Sequence, residues 1–137
     1  MGKKSVQPEL FQYVFDASSL INIERSGQMA LLRSLKGALL IPEKVAQEVG
    51  QPNTPLQRFT ATYPDVIVQF QNAGEEHDYL RFCSQRVIDE GEASAMAIAL
   101  NRNKQLVIDE RETKATGKAR EHGIEILSSQ DFIKQRL

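Results

Sequence analysis

Five short runs rich in Val, Ile and Leu, at residues 13–15, 38–41, 66–70, 105–108 and 125–127, alternate with stretches patterned as helices. The runs are nearly continuous in apolar character. That is the mark of strands covered on both faces, as in a parallel sheet, and not of strands with one wet face. Strand and helix in strict alternation lead to a doubly wound α/β domain. The expected fold class is therefore α/β, in a single domain over residues 1–137.

The helical stretches carry their own punctuation. Helices are expected over 18–25, ending near Gly27, and over 28–35, ending at Gly37. Pro42 suits the first turn of a helix over 43–49, which Gly50 closes. Pro52, Pro55 and Pro64 bracket a short helix over 54–62, and Gly74 precedes a longer one over 75–87. Asp89 with Glu92 three residues on resembles a capping box ahead of an Ala-rich helix over 93–103. Ser128 and Asp131 open the last helix in the same manner. No internal repeat or low-complexity tract interrupts the pattern.

Four acids fall where this topology matters. Asp16 ends the run Tyr13-Val14-Phe15, and Asp109 ends Leu106-Val107-Ile108. In an open parallel sheet, sites form beyond the carboxyl ends of the strands. Glu92 lies in the first turn of a helix that starts at that same edge. Glu48 lies about one and a half turns into its helix, and topology alone carries it away from the edge. Taken singly each acid has a plain structural role: Asp16 as a helix cap, Glu92 as the partner in a capping box, Glu48 as a solvated helix position, Asp109 as part of a charged turn. Taken together, carboxylates that repel one another call for a cation, and all-oxygen ligands favour Mg²⁺ or Mn²⁺.

Composition narrows the classes. The chain carries 17 basic and 18 acidic residues, a net charge of −1, which argues against a nucleic-acid coat but not against a nuclease with a local basic patch. No apolar stretch is long enough to span a bilayer, and the first residues lack a secretory pattern. One cysteine, Cys83, fits a reducing cytoplasm, and the two histidines, His77 and His122, lack partners at zinc-ligand spacing. Cys83 reads as a core filler and the histidines as surface residues.

Four blocks, in order, resemble the PIN-domain family. Val14-Phe15-Asp16-Ala17-Ser18-Ser19-Leu20-Ile21-Asn22 is similar to its opening, and Ile41-Pro42-Glu43-Lys44-Val45-Ala46-Gln47-Glu48-Val49 to its second block. Asp89-Glu90-Gly91-Glu92-Ala93-Ser94-Ala95-Met96-Ala97-Ile98-Ala99 resembles the Gly-Glu-Ala block of one branch, and Leu106-Val107-Ile108-Asp109-Glu110-Arg111 its fourth block. The resemblance implies a three-layer α/β/α sandwich with a five-stranded parallel sheet ordered 3-2-1-4-5. It implies an endoribonuclease dependent on Mg²⁺ or Mn²⁺, with Asp16, Glu48, Glu92 and Asp109 as metal ligands and Ser18 supporting them by hydrogen bonding. The fourth acid is Asp109 or its neighbour Glu110. Many short members resemble the toxins of VapBC-type toxin–antitoxin pairs, which implies a homodimer and an antitoxin partner.

Arg111, Lys114, Lys118 and Arg120 are candidate contacts for an RNA backbone, with Lys114 and Lys118 on one face of a helix and Arg111 one turn earlier; the plain alternative is a solvated face pairing with Glu110, Glu112 and Glu121. A non-catalytic PIN-like binding or scaffold module is the main competing class. A receiver domain fits poorly, because strand three ends in Gln69-Phe70 and strand five in Ser128-Ser129. A hydrolase built on Ser18 lacks a histidine partner and the Gly-x-Ser-x-Gly elbow.

Overall fold

The computed structural model describes residues 11–109 and 115–136. Strands β1 (Tyr13–Phe15), β2 (Leu39–Pro42), β3 (Ile67–Val68), β4 (Gln105–Val107) and β5 (Ile126–Leu127) form one sheet in the order β3-β2-β1-β4-β5. Every pairing is parallel, with Tyr13 level with both Leu39 and Gln105, Ile41 with Ile67, and Leu106 with Ile126. This is the expected 3-2-1-4-5 order.

Eight α-helices are described: α1 (Ala17–Arg25), α2 (Met29–Ser34), α3 (Glu43–Glu48), α4 (Pro55–Thr62), α5 (Ala73–Cys83), α6 (Glu90–Arg102), α7 (Ala115–Glu121) and α8 (Ser129–Lys134). Successive strand residues point to opposite faces, and each face has its own core. Val14, Leu40 and Leu106 pack with Phe82 of α5, the alanines of α6, and Ala115 and Ala119 of α7. Phe15, Leu39, Ile41 and Val107 pack with Leu20, Ile23, Leu32, Val45, Phe59 and Phe132 from the helices opposite. Phe15 and Phe132 meet edge to face at 5.0 Å. Such a pair contributes about 0.5–1.5 kcal/mol beyond its buried area. None of the helices among the described residues is long and apolar enough to cross a membrane.

Several boundaries differ from the sequence reading, and three of the differences have a clear physical cause. The third strand shrinks from 66–70 to Ile67–Val68: Pro64 sets up a 3₁₀ turn through Val66, and the Gln69 carbonyl leaves the ladder to accept from Arg102 Nη2 at 2.7 Å. Ala38, read as strand, belongs to a 3₁₀ turn over Lys36–Ala38. Helix α5 starts earlier and stops earlier than 75–87. Asn72 caps it by accepting from Glu75 N, so Gly74 lies inside the helix, where an added Cβ would meet Asn101 Oδ1 of α6 at 3.1 Å. That glycine serves helix–helix approach rather than helix breaking. Beyond Cys83 the chain turns, and Ile88 is carried into the core.

Candidate active site

β1 and β4 are neighbours, with Phe15 level with Val107, so both deliver their acids to the same edge of the sheet. Asp16 follows directly on β1, and its N–H donates to Val107 O at 3.0 Å. It is the N-cap of α1 in extended conformation (φ −87°, ψ 162°) and is 2% exposed. Its Oδ2 accepts from Ser18 N at 3.2 Å and from Ser18 Oγ at 2.8 Å. The capping role and the site role therefore fall on one side chain. The Ser19 hydroxyl stands 2.8 Å from both the Asp16 and Val107 carbonyl oxygens and locks the strand-to-helix turn.

Asp109, half-buried beyond β4, is held from three sides. Its backbone N–H donates to Ser18 Oγ at 3.1 Å. Its Oδ1 accepts from Ser129 N and its Oδ2 from Ser129 Oγ, both at 2.7 Å, and Asn22 Nδ2 also donates to Oδ2. Asn22 and Ser129 had no site role in the sequence reading. The signal for Asn22 was its place four residues after Ser18, on the same face of α1. Ser129 follows the cap Ser128 at the end of β5, the third strand to open on this edge.

α6 supplies the opposite rim. Asp89 and Glu92 form the expected capping box: Glu92 N donates to Asp89 Oδ1 at 2.8 Å, and Asp89 N donates to Glu92 Oε1 at 3.0 Å. Glu92 is buried and Asp89 exposed. Glu48, the last residue of α3, does reach this rim. Its carboxylate lies against Gly91, so close that a Cβ there would stand 2.7 Å from Glu48 Cδ and 2.9 Å from Oε2.

Burial pushes the Asp16 carboxyl above the usual range. The Ser18 bonds oppose that rise, and the charge of Asp89 adds to it. Asp89, which the sequence marked only as a cap, is thus an electrostatic neighbour of the central acid. No basic side chain forms an ion pair with Asp16 among the described residues.

By donor chemistry the acids fit a hard divalent cation: they are all carboxylates, and a cation would offset the cost of burying Asp16 as an anion. As arranged, no group of three or more Asp, Glu, His or Cys side chains among the described residues stands ready to hold a metal. Glu92 is turned onto the Asp89 amide and Asp109 onto Ser129 and Asn22.

Of the basic candidates, Lys118 lies on α7 with its Nζ 3.7 Å from Glu121 Oε1, the pairing expected of a solvated face. Arg111 and Lys114, with Glu110, lie outside the described residues. Cys83 is half-buried beside the α5–α6 core, and His122 packs edge-on against Phe82 at 4.8 Å.

The fold has a solved counterpart. The crystal structure of PAE2754 from Pyrobaculum aerophilum matches with a TM-score of 0.57, over 91% of this chain and 96% of that one, at 16% identity. At that identity the likeness speaks for the fold alone. No curated protein matches the sequence. The family model DUF3368, described as a PIN domain, matches residues 12–128. With most of its length under that model and the parallel sheet in place, the chain belongs to the PIN-domain family.

Proposed function

We propose that this chain is a metal-dependent nuclease that hydrolyses phosphodiester bonds in RNA, with Mg²⁺ or Mn²⁺ as its ion. The observation that carries the reading is Asp16: a buried carboxylate at the carboxyl edge of a parallel sheet, made costlier by Asp89 and without a basic partner among the described residues. Asp16, Glu48, Glu92 and Asp109 would hold the ion. An ion held there would supply a lowered pKa for a water and neutralisation of charge on the phosphate.

The protein's own residues set the stage. Ser18 orients Asp16 through its hydroxyl and fixes the backbone of Asp109. Ser129 and Asn22 steady the Asp109 carboxylate. Substrate contact falls to Arg111, Lys114 and Lys118. The Lys118–Glu121 pair is exposed, and such pairs contribute at most about 1 kcal/mol, so Lys118 can exchange its partner for a phosphate.

The test is cleavage of single-stranded and structured RNA with Mn²⁺ or Mg²⁺, against EDTA and against Asp16→Asn. Metal-dependent cleavage giving 5′ phosphates, absent in the variant, supports the reading. Equal cleavage by both proteins, or none across a broad RNA panel together with no metal binding, removes it in favour of a PIN-fold binding module. The finer reading, a toxin acting as a homodimer and held by an antitoxin, rests on the family resemblance. Growth arrest on expression that disappears with Asp16→Asn supports it, and unimpaired growth counts against it.

A further inference from the structure

Gly91 occupies the second position of α6 with an ordinary helical backbone, since the glycines with positive φ are Gly27 and Gly123. Nothing in its conformation demands glycine, and glycine is the poorest helix former after proline. What the position demands is space. The atoms nearest an added Cβ are not backbone or core but the carboxylate of Glu48: Oε1, Cδ at 2.7 Å and Oε2 at 2.9 Å. Glu48 is the acid that topology alone leaves away from the sheet edge. Its carboxylate nevertheless lies on the first turn of α6, the helix against which α3 packs.

We propose that Gly91 is a positioning residue: the absence of its side chain seats the Glu48 carboxylate on the first turn of α6, beside Glu92. Any larger residue expels that carboxylate. Because the displaced atoms are the far end of a flexible side chain, expulsion leaves the fold intact and removes Glu48 from the rim. The metal-binding consequence rests on the nuclease reading; the seating itself does not.

The experiment is a double-mutant cycle with Gly91→Ala and Glu48→Ala, read by thermal melting without metal and by Mn²⁺ titration calorimetry. Gly91→Ala is expected to fold. In the Glu48→Ala background it should raise the melting temperature, because alanine is the better helix former and the three atoms nearest its Cβ are then gone. In the wild-type background that rise should be smaller or reversed. Mn²⁺ affinity should fall at least about tenfold in Gly91→Ala, the scale seen when a ligand loses its supporting contact, with no further fall in the double variant.

Equal melting shifts in both backgrounds would overturn the proposal. So would failure of Gly91→Ala to fold, since something less yielding than a carboxylate would then fill the space. If wild type binds no Mn²⁺, the nuclease reading fails, and the melting cycle alone decides the seating. If wild type binds Mn²⁺ and Gly91→Ala binds it equally well, Glu48 is not seated for the ion and the proposal falls.

Discussion

The hydroxyl of Ser18 receives the backbone N–H of Asp109 at 3.1 Å while it donates to Asp16 Oδ2 at 2.8 Å, so a single oxygen ties the two strand-end acids together. Ser18→Ala should remove both bonds and leave a buried carboxylate and an amide short of partners. The expected loss is about 1–3 kcal/mol, read as a shift in the urea midpoint. A change within a few tenths would mean that water replaces the hydroxyl and that the link is dispensable.

Metal should stabilise the fold through Asp16. Mn²⁺ at a hundredfold excess over its dissociation constant should add about 2.7 kcal/mol to unfolding. Asp16→Asn should abolish that gain. The same variant should melt no lower than wild type without metal, because burial already disfavours the charged form of Asp16. A metal-induced shift of equal size in both proteins would place the ion elsewhere.

A buried ion pair ties α5 to α6 away from the acidic rim. Arg102 Nε donates to Glu75 Oε2 at 2.9 Å and Nη2 to Oε1 at 3.1 Å, and the Gln71 amide donates to Oε1 at 2.8 Å. The Glu75 side chain is 1% exposed. Burial alone would raise its pKa, but the Arg102 and Gln71 bonds and the Arg102 charge outweigh it and hold the carboxyl below its ordinary 4.5. A depressed carboxyl contributes stability above its unfolded value and loses it as pH falls through the native one. Arg102→Ala should therefore cost about 3–5 kcal/mol at neutral pH, since it strands a buried charge. Its deficit should narrow in acid, below the ordinary carboxylate range. Denaturant melts at neutral and acid pH test this, and a pH-independent deficit would refute it.

Tyr79 gives a signal at the alkaline end. Burial first, then its hydrogen bond with Cys83 and the charges of Cys83 and Glu90, push its phenol from 10.0 to about 12. A raised phenol contributes stability that is complete below the unfolded value and is lost as pH rises through about 12. The difference in ultraviolet titration between wild type and Tyr79→Phe should show this late ionisation. An ordinary phenol in the difference curve would contradict this half-buried environment.

The parts of the fold legible in the sequence were those set by local pattern. Apolar runs marked every strand, and the carboxyl-edge rule put Asp16 and Asp109 at one edge of the sheet, side by side once strands one and four are neighbours, the order that the family resemblance implied. The Asp89–Glu92 box was readable because cap and partner lie within one turn. What escaped depends on approach between distant segments. Glu48 was grouped with the other acids by the family resemblance alone, because its place at the rim depends on α3 packing against α6, which no local pattern records. Glu75 and Arg102, 27 residues apart, share no local pattern, and their pairing also drew Gln69 out of the third strand. Gly74 misled for the same reason, since a glycine required by a neighbouring helix looks the same in sequence as one that starts a turn.

The helix that carries Glu92 is buried at every residue from 91 to 99, a cylinder with no wet side along most of its length. Amides in such an element exchange with solvent only when the whole domain opens. The acidic rim is thus mounted on the part of the molecule that lets go last. On heating, the chemistry at that rim and the global fold should disappear at the same temperature, with no window in which an inactivated but still folded protein accumulates.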